Sequence, residues 1–193
     1  MGQQKLKIRT LSQKNFSSYG EVIELKGAEE LVINQGTTTR FNALALVDVG
    51  EEGGVPIISI FEGKRRPDPI KLVLMERHPL GSQAFFPLSN HGWIVVVCKS
   101  NSSGEKPDLS TIECFYARGD QGVSYLKGTW HHPLIVLEAS QKFLVVDRQG
   151  DGCNLNEFSI ENLDINIGPD NLINSNSIDS VSYTHLTLPT IYS

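Results

Sequence analysis

Trp93-Ile94-Val95-Val96-Val97-Cys98 is an unbroken apolar run that opens after Gly92 and ends at Lys99-Ser100. Successive side chains of a strand point to opposite faces, so a strand with one wet face must alternate apolar and polar residues. This run does not alternate. Its β-branched content and short length read as a strand apolar on both sides, hence a central one.

Working outward, similar runs recur at Leu6–Ile8, Val22–Leu25, Phe41–Val49, Ile57–Phe61, Ile70–Met75 and Gln83–Phe86. They continue at Ile112–Tyr116, Leu134–Leu137 and Phe143–Val146. Turn residues part them: Gly53-Gly54, Pro67-Asp68-Pro69, Pro79-Leu80-Gly81, Ser103-Gly104, Gly119-Asp120 and Gly150-Asp151-Gly152. Short strands at this spacing predict a mostly β fold, a barrel or sandwich with few short helices. Ser12 is placed to cap one helix running to Tyr19 and ended by Gly20, and Pro107–Ser110 reads as a further helical turn.

The 193 residues suit one domain, expected over 1–162, with 39% hydrophobic and 20% charged residues as in an ordinary globular protein. A net charge of -5 argues against nucleic acid or an acidic membrane surface as partner. No apolar stretch is long enough to span a bilayer, and the N-terminus carries neither a signal-peptide core nor a myristoylation pattern. Three cysteines, Cys98, Cys114 and Cys153, without a CxxC pair, suit a reducing compartment and predict a cytoplasmic protein. Residues 163–193 read as an Asn- and Ser-rich disordered extension, and "VSYTHLTLPT" (181–190) resembles a translated sequencing adaptor. Tyr183 and His185 are therefore given no functional role.

Two polar segments interrupt the apolar pattern at strand ends. One is Glu76-Arg77-His78-Pro79-Leu80-Gly81-Ser82-Gln83; the other is Tyr125-Leu126-Lys127-Gly128-Thr129-Trp130-His131-His132-Pro133. Each puts an imidazole before proline, where the backbone is held extended. Alternation lets Glu76 and His78 share a face while Arg77 takes the other, and only one of His131 and His132 looks into a pocket. Asp147-Arg148 is a third polar pair closing a strand. A metal set is available in Glu76, His78, Gln83 and His132 or His131, although the His-x-His pair typical of metal-binding cupins is missing. Dinucleotide, Walker, His-Glu-x-x-His and Gly-x-Ser-x-Gly motifs are absent, and Cys98 inside its apolar strand reads as an inert core thiol.

Several stretches taken together resemble the ureidoglycolate lyase family, also called ureidoglycolate hydrolase. They are "LSQKNFSSYGEVIE" (11–24), "INQGTTTRF" (33–41), "ALALVDV" (43–49) and "MERHPLGSQAFFPL" (75–88), followed by "KPDLSTIECFYARGDQGVSY" (106–125), "GTWHHPL" (128–134) and "FLVVDRQG" (143–150). The resemblance implies a cupin-like, bicupin-type β fold, a homodimer, nickel as a possible divalent cofactor, and conversion of (S)-ureidoglycolate into glyoxylate and urea. That substrate carries a hydroxyl, a carboxylate and a ureido nitrogen on one carbon. Its cleavage needs a cation for the carboxylate, a base for the hydroxyl proton and an acid for the departing nitrogen. The proton carrier is expected in His132 or His131, with Glu76 orienting an imidazole, or acting as the base itself where desolvation raises its pKa, and His78 beside it. Arg77, Arg148 and Arg40 are the unranked carboxylate anchors. Gln83, Asn34, Tyr125 and Lys127 are candidates for the carbonyl and ureido oxygens, with Asn34 and Arg40 reaching a neighbouring subunit's site. The rivals are an amidohydrolase releasing ammonia from the same substrate, a metal-dependent cupin enzyme of another reaction, and a non-catalytic ligand-binding barrel.

Overall fold

Trp93 to Cys98 is buried on both faces, each residue at most 2% exposed. A computed structural model describes residues 4–168; the adaptor-like stretch 181–190 lies outside the described residues. In chain order the first strands are β1 (Gln4–Lys5), β2 (Ile8–Thr10), β3 (Gly20–Ile23), β4 (Glu29–Ile33), β5 (Thr38–Asn42) and β6 (Val55–Lys64). Next come β7 (Ile70–Lys71), β8 (Leu74–Arg77), β9 (Gln83–Pro87), β10 (Trp93–Ser100), β11 (Pro107–Ala117) and β12 (Gly122–Tyr125). The last are β13 (Trp130–His131), β14 (Ile135–Val136), β15 (Ser140–Gln149), β16 (Asn156–Ser159) and β17 (Ile165–Ile167).

β10 is central in a seven-stranded sheet ordered β16-β8-β13-β10-β11-β2, with β14 also paired to β10. Trp93, Val95 and Val97 look into a core shared with Phe85, Val123, Phe143 and Val145, which belong to a five-stranded sheet ordered β3-β12-β9-β15-β6. Ile94, Val96 and Cys98 look the other way, against Leu72 and against Ile70, Ile165 and Ile167 of a three-stranded sheet, β1-β17-β7. The result is a mostly β, cupin-like sandwich in which one strand separates two apolar cores. Burial pushes the Cys98 thiol up to about 12, as suits an unreactive core residue. β4 and β5 form a separate hairpin that pairs with neither large sheet.

Four boundaries differ from the sequence expectation. Ser12 caps a helix, with reciprocal bonds between its hydroxyl and backbone and Asn15, but α1 is the single turn Gln13–Phe16. Pro107–Ser110 is strand, not helix: Pro107 pairs with Ser100 at the start of β11, where a missing N–H is tolerated. The run Phe41–Val49 stops being strand at Asn42, because Ala43 takes a left-handed φ of 48° and turns the chain. The folded part also runs past residue 162, since Ile165 and Ile167 are buried and Asn166 pairs with Lys71. Local composition hid this strand: only Ile165 and Ile167, either side of Asn166, are apolar, and most of their partners lie far away in sequence.

Two-sided burial makes β10 sensitive on both faces. Trp93→Ala and Ile94→Ala should each lower the unfolding free energy by about 2–5 kcal/mol in urea titrations. Ile58→Ala, on an outward position that is 73% exposed, should cost less than about 1 kcal/mol.

Candidate active site

β10 is also the ruler that sets the site. Val97 and Cys98 pair with His131 and Trp130 of β13, and His131 in turn stands directly opposite Glu76 of β8. Directly opposed residues share a face, so the imidazole and the carboxylate meet: His131 Nε2 lies 3.5 Å from Glu76 Oε1. Tyr125 of β12 stacks flat on the His131 ring, with centroids 4.1 Å apart and planes 11° from parallel. Burial pushes the Tyr125 hydroxyl upward in pKa, and the Glu76 charge adds to that, so it stays protonated.

His78 follows β8 at the Pro79 corner. Its Nδ1 donates to the Asn154 carbonyl at 2.7 Å, and the Asn154 side chain accepts from the Leu80 N–H at 2.9 Å. Asn154, in the Gly-rich turn before β16, thus fixes both the ring and the corner; the sequence offered no signal for it beyond the turn. His131 Nδ1 likewise donates to the Thr129 carbonyl at 2.9 Å. A neutral ring that donates through Nδ1 presents a bare lone pair at Nε2. Both Nε2 atoms are buried without a hydrogen-bond partner, and so is Gln83 Oε1, whose amide nitrogen is spent on Asp147 at 3.0 Å. Ligand atoms of Glu76, His78 and His131 all lie within 4.8 Å of one another. A cluster of acceptors without donors calls for a positive particle, a proton or a metal cation. Two imidazoles with Nδ1 oriented by carbonyls, plus one carboxylate, form a donor set that fits a divalent transition metal.

Glu76, His78 and Gln83 open on a cleft of about 610 Å³, lined also by Phe61, Lys64, Arg66 and Asp147, while His131 stands behind Glu76 in a small buried pocket. Burial pushes the Glu76 carboxyl up, but the contact with His131 and the surrounding imidazoles outweigh it, and its pKa falls below the ordinary carboxylate value. Glu76 is therefore held ionised. Its pKa is not raised as the sequence reading of a base required, and the carboxylate is instead present throughout the neutral range in its proton-accepting form.

His132 lines a small buried pocket with Glu76, Tyr125 and His131, but backbone groups engage both of its nitrogens. Its Nε2 accepts from the Val73 N–H at 3.3 Å and its Nδ1 donates to the Pro133 carbonyl at 2.7 Å, so no lone pair is left for a metal or a proton shuttle. Burial depresses its pKa to about 4. The anchoring arginines are also spread out. Arg77 bonds Asn156 and the Gly104 carbonyl and lies 4.7 Å over the Trp130 ring, on the face opposite Glu76. Arg148 is buried, and its guanidinium clamps the Glu51 and Asp151 carbonyls at 2.7 and 2.8 Å. Lys127 pairs with Asp48 and Glu51 at 3.1 and 2.9 Å outside the cleft. Asn34 and Arg40 sit on the β4–β5 hairpin, where Asn34 bonds Thr38. The structure thus unites Glu76, His78, His131, Gln83 and Tyr125, and brings in Arg66, Lys64 and Asp147. Arg66 carries the same mark as His78, a polar residue before proline, and that mark could have found it.

Comparison with known proteins places the chain in one family. The family model described as ureidoglycolate lyase matches residues 3–167. Ureidoglycolate lyase of Burkholderia mallei is 49% identical over 152 residues, covering 79% of this chain and 87% of that protein. The Rhizobium etli enzyme of the same name is 47% identical over 156 residues, covering 81% and 92%. That of Brucella anthropi is 45% identical over 153 residues, covering 79% and 88%.

His132 should act on stability. Its folded ring resists a proton that the unfolded chain takes up near the ordinary 6.5, so its contribution is complete above that pH and is lost as the pH falls towards 4. The loss should reach roughly 3 kcal/mol in urea titrations across that window. His132→Asn should flatten this slope while lowering stability at neutral pH by about 1–3 kcal/mol, as the Val73 N–H loses its acceptor.

Proposed function

From the premise that the chain belongs to the ureidoglycolate lyase family, we propose that its Glu76–His78–His131 cleft splits ureidoglycolate into glyoxylate and urea. The protein is a carbon–nitrogen lyase, and the reaction belongs to the breakdown of purine-derived allantoin. One observation carries the placement: buried acceptors from separate strands and turns converge on the cleft without a donor among them.

Exposure supports a division of roles. His131 is only 2% exposed, whereas the Glu76 side chain is 20% exposed and reaches the cleft. Glu76 is therefore the group that meets the substrate, and His131, when its Nε2 carries a proton, holds it ionised and aimed. Its carboxylate takes the hydroxyl proton while the carbon–oxygen double bond forms. The electrons of the broken carbon–nitrogen bond leave with the ureido nitrogen, and Glu76 returns the same proton there, releasing urea and glyoxylate. Phe61, Phe85 and Leu134 give the cleft an apolar wall that limits competing water.

A divalent cation would be held by Glu76, His78 and His131, with Gln83 Oε1 in the same cleft; nickel is the ion the family resemblance suggests. When bound, it supplies Lewis-acid polarisation of a substrate oxygen. His132, a ligand candidate on sequence grounds, is replaced in this set by His131.

We place the enzyme in the cytoplasm as a homodimer. Cys98, Cys114 and Cys153 are free thiols, which suits a reducing compartment, and among the described residues no helix is long and apolar enough to cross a membrane. The dimer reading is supported by β6, an edge strand with Ile58 73% and Ile60 54% exposed, and by Val32, 71% exposed on the lone hairpin.

Purified protein given racemic ureidoglycolate should yield glyoxylate and urea, with ammonia appearing only after urease is added; direct ammonia release would establish the amidohydrolase. Glu76→Gln should lower kcat by roughly 10²–10⁴-fold with a much smaller change in KM. Calorimetric titration of chelator-stripped protein with Ni²⁺ should give about one ion per chain, and His78→Ala or His131→Ala should weaken binding at least tenfold. Light scattering should report a dimer, and Ile58→Asp with Ile60→Asp should shift it to monomer.

A further inference from the structure

We propose that Arg66, which no sequence motif of the family resemblance includes, grips the substrate carboxylate and thereby makes the enzyme selective for 2-hydroxy acids. The inference rests on the ureidoglycolate reading of the same cleft. An anionic substrate entering a cleft that already holds the Glu76 charge must meet a cation, and the cleft's acidic side chains, Glu62, Glu76 and Asp147, make that need stronger.

Elimination narrows the choice. Arg77 bonds Asn156 and the Gly104 carbonyl, Arg148 is held through Nη2 by loop carbonyls and does not line the cleft, and Arg40 stands on the separate hairpin. Lys64 and Arg66 are the cations that line the cleft among the described residues. Lys64 is exposed at the end of β6, while Arg66 is half-buried. Arg66 has no hydrogen-bond or ion-pair partner among the described residues, so its donors are available to a ligand.

Its neighbours explain its direction. The Arg65 N–H is tied to the Ala139 carbonyl at 3.1 Å, and its guanidinium pairs with Asp68 at 2.8 Å and bonds the Leu137 carbonyl. Pro67 on the other side holds Arg66 extended, so adjacent side chains diverge and Arg66 turns to the cleft. Glu76 and His78 line the same cleft as Arg66, so the guanidinium and the acceptor cluster share one cavity. A guanidinium there binds a carboxylate through two parallel N–H bonds, which fixes both position and rotation; an ammonium would fix position alone. With the carboxylate clamped, the hydroxyl and ureido groups of the same carbon are presented to Glu76 in one order.

The test compares Arg66→Gln, Arg66→Lys and Lys64→Gln with the unmodified protein, each checked by circular dichroism for an intact fold. Arg66→Gln should raise KM for ureidoglycolate roughly 10- to 100-fold with kcat changed less than about threefold, and Arg66→Lys should recover part of the loss. Binding of glyoxylate alone, followed by calorimetry without turnover, should weaken by the same factor. A KM within about twofold of the unmodified value in Arg66→Gln, or a larger loss in Lys64→Gln, overturns the assignment. Absence of turnover in the unmodified protein would instead overturn the ureidoglycolate reading, and the glyoxylate titration would still decide whether Arg66 binds a small carboxylate.

Discussion

The register between β8 and β13 is the constraint on which the site depends. Glu76 and His131 face each other because they are directly opposed in an antiparallel pair, and a slip by one residue would send every side chain of that strand to the other face. β13 has only Trp130 and His131 in its ladder, too few residues to define a register alone. The register is imposed by β10, to which Trp130 and His131 pair at Cys98 and Val97 and to which the His132 N–H donates at Val96. Burial of β10 on both faces therefore positions the Glu76–His131 pair, although Glu76 is not paired with β10 itself. Core packing and active-site geometry are one problem here, because the strand that separates the two cores also aligns the site.

The second dependency is electrostatic. Nε2 of His78, Nε2 of His131 and Oε1 of Gln83 are all buried without donors, and each such group costs free energy in the unliganded fold. The cost is maintained by bonds on the far side of each group: Asn154 and Thr129 carbonyls take the two Nδ1 protons, and Asp147 takes the Gln83 amide. These second bonds decide which atom of each side chain faces inward. Local frustration of this kind is what a binding site retains, since whatever cation or substrate donor enters relieves it and stabilises the fold by mass action.

How much of this was legible depends on range. Strand-type runs and the turn residues between them are local, and they suffice to read the chain as mostly β. Glu76 and His78 on one face with Arg77 on the other follows from alternation alone, and Arg77 over Trp130 agrees with it. What failed were features decided at a distance. Nothing within residues 107–110 announces pairing with Lys99 and Ser100, and nothing within 165–167 announces β1 and β7. Arg148 resembles a carboxylate anchor because its strand ends near the cleft, yet its Nη2 is held by loop carbonyls that sequence spacing could not bring to it.

The His131-His132 pair shows the limit most sharply, because two identical residues side by side acquire opposite duties. Alternation says that one of them faces the pocket, but not which. Choosing needs the identity of the strands on each side: His131 meets Glu76 across β8 and the ring of Tyr125, while His132 meets the Val73 N–H and a carbonyl of its own turn. The first environment leaves a lone pair and a neighbouring charge; the second satisfies both nitrogens and removes the charged form through burial. Function is thus assigned by the complement of bonds left unmade. A histidine whose two nitrogens are both satisfied by backbone is structural cement, and its neighbour, anchored on one side only, keeps the other side free for chemistry.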